Sequence, residues 1–294
     1  MEIIDAHAHI YERLAGYGPR GEARAIGGGM VEWANGDRER FLNPDHGDTG
    51  FLAETLLSLM DASGVSRAVL LQAGNYGFQN SYVAEAVQKY PHRFVGACTL
   101  DPYAAEAGAI FRHLTQERGL RILKLEMSEG YGLTGYHPHL KIDGNETAPI
   151  LAAAEAAGIA VVVDTGMLGT AGCQTEALCR VRDRHPDLTL VLCHGFFPSP
   201  KDGRNGERLE MIKQLAGERV YFDMTKATEP SFLRAVMDAV GAERMMWGTD
   251  CPGVFIHRTY RQLIESVTSL EGFTERELNH LMGETAKKVY RMGG

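Results

Sequence analysis

The sequence lacks the marks of several large protein classes. Its net charge is −8 and no basic run is interleaved with aromatic residues, which argues against a nucleic-acid or anionic-membrane partner. Apolar runs are far shorter than the ~20 residues that a membrane helix needs. The N-terminal segment MEIIDAHAHI does not have the pattern of a secretory signal. The sequence therefore predicts a cytoplasmic protein without a membrane or nucleic-acid partner.

Cysteine pairs and nucleophile motifs are also missing. The five cysteines are odd in number and include no Cys-x-x-Cys pair, which argues against a disulfide framework or a thiolate zinc cluster. They are Cys98, Cys173, Cys179, Cys193 and Cys251. No Gly-x-Ser-x-Gly motif is present, and Cys193 is predicted to point away from its neighbour His194, as adjacent strand residues do. We therefore expect neither a serine nor a cysteine nucleophile.

Short apolar runs alternate with longer amphipathic segments along the chain. The predicted strands are Glu2–His7, Arg67–Gln72, Phe94–Thr99, Arg121–Glu126, Ala160–Asp164, Thr189–His194, Arg219–Asp223 and Met245–Asp250. Most are nearly continuous apolar runs, which is typical of parallel strands covered by helices. Eight such strands in 294 residues predict a single (β/α)8 barrel domain, a TIM barrel, spanning residues 1–294. The alternative is a doubly wound open sheet, but no glycine-rich phosphate-binding motif follows any strand.

Two segments are longer than a barrel connection requires. Residues 11–50, after the first strand, are predicted to form a long loop, and Gly130–Gly144, after the fourth, a second one. Both would emerge at the C-terminal face of the barrel, where active sites of this fold lie. The second loop contains His137 and His139, which either cover the pocket or face solvent.

The first strand carries two histidines at alternate positions. Alternation predicts an inward and an outward face. The inward face consists of Ile3, Asp5, His7 and His9, and the outward face of Ile4, Ala6, Ala8 and Ile10. Two imidazoles at this spacing can hold a metal ion from one side. The alternative is a pair of hydrogen-bonded core histidines, and the two residues alone do not decide between them.

Four other predicted strands end in residues that could take part in a chemical reaction. These are Lys124 and Glu126 on the fourth strand, Asp164 on the fifth, His194 on the sixth and Asp250 on the eighth. Below His194, alternation places Leu190 and Leu192 inward. Polar residues that repeatedly end apolar strands at one rim of a barrel indicate a functional site rather than a solvated surface.

Taken in order, these motifs resemble a known family. DAHAH near the start, FVGACTLDP on the third strand, ILKLE on the fourth, LVLCHG on the sixth, MWGTDCP on the eighth and the closing MGETAKKVYR are similar to the amidohydrolase superfamily. Within it they resemble the amidohydrolase-related branch that contains aminocarboxymuconate-semialdehyde decarboxylase. The resemblance implies one divalent ion, usually zinc. It also implies that the ion is held by His7, His9, a fifth-strand histidine and Asp250, with His194 contacting the water or the substrate.

The fifth strand departs from that pattern, because Asp164 stands where the branch commonly has a histidine. Three interpretations stay open. Asp164 is an oxygen ligand, and the harder ligand set then tolerates manganese or iron as well as zinc. Alternatively, Asp164 supports the site without touching an ion that is weakly held. In the third, no ion is bound, as in the metal-free lactonases of this superfamily.

The combined pattern predicts a metal-dependent hydrolase of a small amide, lactone or related carbonyl compound, which uses a metal-activated water. Asp250 would accept the proton of that water, and His194 would polarise the substrate carbonyl. The residues predicted to contact the substrate are Lys124, Glu126 and Arg258, with Lys226 as a further candidate. The alternatives are a non-oxidative decarboxylase on the same site, a metal-free lactonase and a non-catalytic binding barrel. We also expect the chain to form a homo-oligomer.

Overall fold

The computed structural model describes residues 1–199, 201–225, 227 and 229–293. The strands are β1 (Ile4–His9), β2 (Ala15–Gly18), β3 (Gly21–Gly27), β4 (Met30–Trp33), β5 (Arg38–Arg40), β6 (Arg67–Leu71), β7 (Phe94–Cys98), β8 (Ile122–Glu126), β9 (Ala160–Asp164), β10 (Leu190–Leu192), β11 (Val220–Asp223) and β12 (Met245–Met246). The helices are α1 (Ala53–Ser63), α2 (Asn80–Lys89), α3 (Ala107–Arg112), α4 (Leu133–Tyr136), α5 (Ala148–Ala156), α6 (Thr175–Arg184), α7 (Asn205–Leu215), α8 (Pro230–Val240), α9 (Tyr260–Thr268), α10 (Glu275–Asn279) and α11 (Thr285–Val289). Within these ranges, no helix has the length and apolar character needed to cross a membrane.

Eight of the strands form one parallel sheet that closes into a barrel. Their order is β1-β6-β7-β8-β9-β10-β11-β12. The chain beyond the short β12 pairs with β1. There the Ala6 amide donates to the Trp247 carbonyl (3.0 Å), and the His9 amide donates to the Cys251 carbonyl (3.0 Å). The predicted (β/α)8 barrel is confirmed, since each predicted strand overlaps a barrel strand.

Two of the predicted strands end at least two residues earlier than expected. The sixth was predicted to reach His194 and the eighth Asp250, but β10 ends at Leu192 and β12 at Met246. His194 and Asp250 have φ values of 62° and 59°, in the left-handed region that strands do not use. Both side chains therefore project from turns just above the sheet and not from the strands themselves.

The first residues of β1 do not point in the predicted directions. Ile4 and Ala6 pack inside the barrel with residues of the other seven barrel strands. Asp5 points outward instead and accepts a hydrogen bond from the hydroxyl of Tyr260 on α9. The pairing of β1 with β6 shifts register between Asp5 and Ala8. Such a shift exchanges the faces of a strand, and above it the histidines of β1 face inward.

β10 also presents a different face from the predicted one. Val191 and Cys193 pack in the barrel interior, whereas Leu190 and Leu192 belong to the core between the barrel and its helices. The prediction that the two leucines point inward, and that Cys193 points outward, was therefore wrong. His194 comes next to an inward residue, and its left-handed backbone breaks the alternation.

Residues 11–50, which were predicted to form a loop, contain a four-stranded antiparallel sheet. Its strand order is β2-β3-β4-β5. Trp33 of β4 is buried and lies 6.4 Å, between ring centroids, from both Phe41 and Tyr131. Gly16 of β2 lies so close to the segment after β6 that a Cβ would be 2.2 Å from the Asn75 carbonyl oxygen. The inserted sheet is thus fixed against the C-terminal face of the barrel.

Candidate metal centre and active site

The two histidines of β1 face the barrel interior with their Nε2 atoms 3.2 Å apart. His7 Nδ1 is 2.5 Å from Asp223 Oδ2 at the end of β11, and His9 Nδ1 is 3.0 Å from the Leu71 carbonyl oxygen. An imidazole whose one nitrogen is held by an oxygen is fixed in orientation and directs the other nitrogen at an ion. Both Nε2 atoms are therefore presented to one point.

Asp250 completes a set of three converging atoms. Its Oδ1 lies 3.0 Å from His9 Nε2 and 3.5 Å from His7 Nε2. Ligand atoms around a tetrahedral ion with bonds of about 2.0–2.1 Å are roughly 3.3 Å apart. The spacing of the three atoms therefore suits a single small divalent ion.

His194 approaches the same point from β10. Its ring centroid is 4.7 Å from that of His7, against 5.0 Å between the His7 and His9 rings. One ligand atom from each of His7, His194 and Asp250 lies within 4.8 Å of the others. The His194 ring is thus slightly closer to the His7 ring than the His9 ring is.

Asp164 contacts His194, and both residues line the cavity described below. Its Oδ2 is 2.9 Å from His194 Nε2 and 4.0 Å from Lys124 Nζ, and its Oδ1 accepts the amide hydrogen of Gly166 at 2.8 Å. Burial opposes the charge of this carboxyl, but His194 and Lys124 outweigh burial and hold the pKa of Asp164 well below its usual value. The structure pairs Asp164 with an imidazole, while its predicted role as a ligand stays a prediction.

Lys124 is buried beside Glu126, and its predicted contact with a substrate stays a prediction. Its side chain is fully buried, and its Nζ donates to Glu126 Oε2 at 3.0 Å. Burial would lower the pKa of Lys124, but the charge of Glu126 raises it above the usual value, so the ammonium stays protonated. Burial and the neighbouring Asp164 raise the pKa of Glu126, although Lys124 partly offsets them. Of the pair, only Glu126 lines the cavity above.

A cavity of about 540 Å³ opens above the three converging atoms. The inserted sheet contributes Glu39, Arg40 and the adjoining Phe41 to its wall, and the barrel connections contribute Tyr76 and Tyr131. Further lining comes from His7, His9, Glu126, Asp164, His194, Phe197 and Asp250. The cavity therefore joins polar groups at its floor to a partly aromatic wall.

Several of the predicted candidates lie elsewhere. Arg258 lines a neighbouring cavity and does not line this one. Lys226 lies outside the described residues. His137 Nε2 is 2.9 Å from Asp101 Oδ2, and His139 is exposed; neither lines the cavity. The loop histidines thus do not cover the pocket.

Two residues of the site were missed by the sequence analysis. Asp223 holds His7, and the signal for it was available, because β11 is an apolar run that ends in aspartate just as β9 does. Arg40 reaches the cavity from the inserted sheet, and no local pattern could have placed it there.

The charge state of His7 suits metal binding. Burial lowers the pKa of His7 to about 4, even though Asp223 beside it acts in the opposite direction. The ring is therefore neutral at pH 7, and a neutral imidazole is the form that binds a metal ion.

Comparison with known proteins identifies the family. The family described as Amidohydrolase matches residues 4–292, nearly the whole chain. The chain belongs to the amidohydrolase family. The resemblance inferred from the ordered motifs is thereby confirmed.

Solved structures with the same fold include a putative hydrolase and two decarboxylases. A putative 2-pyrone-4,6-dicarboxylic acid hydrolase from Pseudomonas putida is 19% identical, with 100% of this chain and 98% of that chain covered and a TM-score of 0.71. 5-Carboxyvanillate decarboxylase from Sphingomonas paucimobilis is 18% identical, with 81% and 82% covered and a TM-score of 0.61. A 5-carboxyvanillate decarboxylase from Novosphingobium aromaticivorans, 16% identical with 80% of each chain covered and a TM-score of 0.63, holds bound manganese. At these identities the likeness extends to the fold.

The residues of this amidohydrolase fit a divalent ion. Imidazole and carboxylate are ligands of zinc, manganese and iron alike. Three side chains offer ligand atoms at suitable spacing, and two of them are held from behind by oxygen atoms. The chain thus has the side chains needed to hold one metal ion.

Proposed function

We propose that this amidohydrolase is a metal-dependent hydrolase of a small carbonyl compound. The observation that carries the proposal is the convergence of His7 Nε2, His9 Nε2 and Asp250 Oδ1 at separations of 3.0–3.5 Å beneath an open cavity. A bound divalent ion supplies a Lewis acid for a substrate oxygen and lowers the pKa of a water molecule toward about 7. Zinc is our first expectation for the ion, with manganese or iron as alternatives.

Asp250 is the proposed general base. Its carboxyl is at the floor of the cavity and its backbone amide donates to the His7 carbonyl oxygen at 2.7 Å, which ties it to the first strand. From there it can take the proton of the attacking water and return it to the leaving group. His194 lines the same cavity, so its predicted contact with the substrate carbonyl remains available, although its distance from His7 also suits a place among the ligands.

The cavity wall supports a small planar substrate with an anionic group. The ring centroids of Tyr76 and Tyr131 lie 5.9 and 6.0 Å from that of Phe41, so the three rings form one apolar wall. Arg40 makes no ion pair with any residue in the described ranges, and its Nη1 donates to the Gly28 carbonyl at 2.7 Å. We therefore propose Arg40, in addition to the predicted Glu126, as a residue that contacts the substrate.

Metal content and product analysis test the proposal. The purified chain should contain close to one zinc, manganese or iron per chain by elemental analysis, and His9→Gln should lose it. Lactones, amides and aromatic carboxylic acids should be screened for hydrolysis, with Asp250→Asn inactive. His139→Gln is the control, because His139 is exposed and does not line the cavity. Release of carbon dioxide without consumption of water would replace hydrolysis by decarboxylation, which the same residues can serve.

Location and assembly stay predictions. We propose a cytoplasmic protein that acts on a small molecule and associates with copies of itself. Sedimentation velocity of the purified chain measures the association directly, and a single species of about the chain mass, 32.3 kDa, would contradict it.

A further inference from the structure

The three imidazoles of the site share one arrangement. In each, one ring nitrogen lies within hydrogen-bond distance of an oxygen atom. His7 Nδ1 has Asp223, His9 Nδ1 has the Leu71 carbonyl, and His194 Nε2 has Asp164, at 2.5, 3.0 and 2.9 Å. Ligating histidines in metalloproteins characteristically have such a partner. His194 thus shares this arrangement with the two β1 histidines, and one of its ring nitrogens lies within 4.8 Å of ligand atoms of His7 and Asp250. Ligation through Nδ1 would keep the contact between Nε2 and Asp164.

Asp164 is poorly arranged for ligation compared with Asp250. Its Oδ1 accepts the Gly166 amide hydrogen at 2.8 Å, and its Oδ2 is engaged by His194. Lys124 Nζ, 4.0 Å from Oδ2, adds a positive charge close to the same oxygen. An Asp164 oxygen that bound the ion would have to share it with one of these contacts, whereas Asp250 Oδ1 lies 3.0 and 3.5 Å from the Nε2 atoms of both β1 histidines.

The backbone immediately after β10 turns the His194 side chain inward. The strand ends at Leu192, and His194 and Gly195 both have positive φ. A Cβ at Gly195 would be 2.9 Å from Met224 Cε, so this turn packs tightly against the segment after β11. A non-glycine residue in the left-handed region costs free energy and persists where the surroundings hold it. Here that conformation brings the His194 ring within 4.7 Å of the His7 ring.

We propose that His194 is the fourth protein ligand of the metal ion and that Asp164 is its positioning residue. The ligand set is then His7, His9, His194 and Asp250, and β9 contributes a hydrogen-bond acceptor where a ligand was expected. The inference rests on the proposed function, because it assumes that an ion is bound. It replaces the predicted ligand role of Asp164 and moves His194 from the substrate to the ion.

Counting the imidazole ligands tests the proposal without a substrate. The metal-free protein is loaded with Zn²⁺ alone, and X-ray absorption counts its nitrogen ligands while competition with a chromogenic chelator gives the dissociation constant. We expect three imidazoles in the unmodified protein and two in His194→Gln. Asp164→Ala should keep three imidazoles but bind Zn²⁺ about 10- to 100-fold more weakly. Asp164→Asn, whose amide oxygen can still accept from His194, should recover part of that loss.

A matched control is present in the same chain. Asp101 pairs with His137 at 2.9 Å outside the cavity, so Asp101→Ala removes a carboxylate–imidazole pair of the same kind and should leave Zn²⁺ affinity unchanged. Two imidazoles in the unmodified protein, or an unchanged count in His194→Gln, would overturn this proposal and leave the proposed function intact. Failure of the unmodified protein to bind Zn²⁺, Mn²⁺ or Fe²⁺ would overturn both.

Discussion

The buried carboxylate of Asp5 fastens the first strand to the turn that carries Asp250. It accepts hydrogen bonds from the His7 amide (3.1 Å), the Thr249 amide (2.9 Å), the Thr249 hydroxyl (2.7 Å) and the Tyr260 hydroxyl. Asp250, the next residue after Thr249, has φ 59°, a conformation that costs of order 1–3 kcal/mol. The bonds to Asp5 therefore hold a strained backbone and orient the Asp250 carboxyl.

Replacing Tyr260 by Phe removes one of these bonds and little else. A hydrogen bond to a charged group contributes about 1.5–3 kcal/mol, and Asp5 keeps its other partners, so we expect Tyr260→Phe to lower the free energy of unfolding by about 2 kcal/mol. Burial raises the pKa of Asp5 to about 6, while the bonds from Tyr260 and Thr249 act against that rise. The loss should therefore be larger at pH 7.5, where Asp5 is ionised, than at pH 5.

Urea unfolding followed by circular dichroism at both pH values measures this loss. The control is Tyr90→Phe, because the Tyr90 hydroxyl donates to Glu54 at 2.9 Å on the surface, where such changes stay within about 0.5 kcal/mol. The reasoning fails if Tyr260→Phe costs no more than the control, or if its cost is greater at pH 5 than at pH 7.5. Zn²⁺ affinity should fall in Tyr260→Phe alone, because only that change loosens the Asp250 turn.

Three further predictions concern the same region. In metal-free protein, burial lowers the pKa of His7 from 6.5 to about 4, so the unfolded chain binds more protons between these values and acidification costs up to about 3 kcal/mol. The pKa of Asp5 is raised in the folded protein, so below pH 6 Asp5 stabilises the fold on acidification and partly masks the loss caused by His7. In Asp5→Asn the free energy of unfolding, measured by urea unfolding, should therefore fall more steeply as the pH is lowered. An equal change with pH in both proteins would contradict the assignment. Lys124→Met leaves two buried carboxylates without their cation and should lower stability by about 3–5 kcal/mol in the same assay, whereas a loss below about 1 kcal/mol would show that the pair is not needed. Gly248→Ala places a Cβ 2.6 Å from the Cβ of His7 and should abolish Zn²⁺ binding, while Gly253→Ala, which meets nothing within 4 Å, should leave it unchanged.

The barrel and most of the functional residues at its rim could be predicted from local sequence patterns. Apolar runs that alternate with amphipathic segments require parallel strands covered by helices, and eight of them close into a barrel. The C-terminal ends of parallel strands meet at one face, so His7, His9, His194 and Asp250 were predicted to gather there from their positions alone. That argument needs no knowledge of which side chains touch.

Which way each side chain points was decided by contacts between distant parts of the chain. Alternation holds only while a strand stays regular. The irregular register of β1, which sends Asp5 outward, accompanies its bonds to Thr249 and Tyr260, more than 240 residues away in sequence. The positive φ values of His194 and Asp250 likewise depend on packing across the barrel rim.

The partners of the charged residues could not be predicted from the sequence for the same reason. Lys124 shares a strand face with Glu126, as predicted, but only the closed barrel shows that the ammonium is buried beneath the cavity. The sequence by itself determined the fold and the groups that gather at its rim, because these follow from periodicity. The tertiary structure decided that Asp164 faces an imidazole and that Arg40 reaches the cavity, because both depend on how separate elements pack.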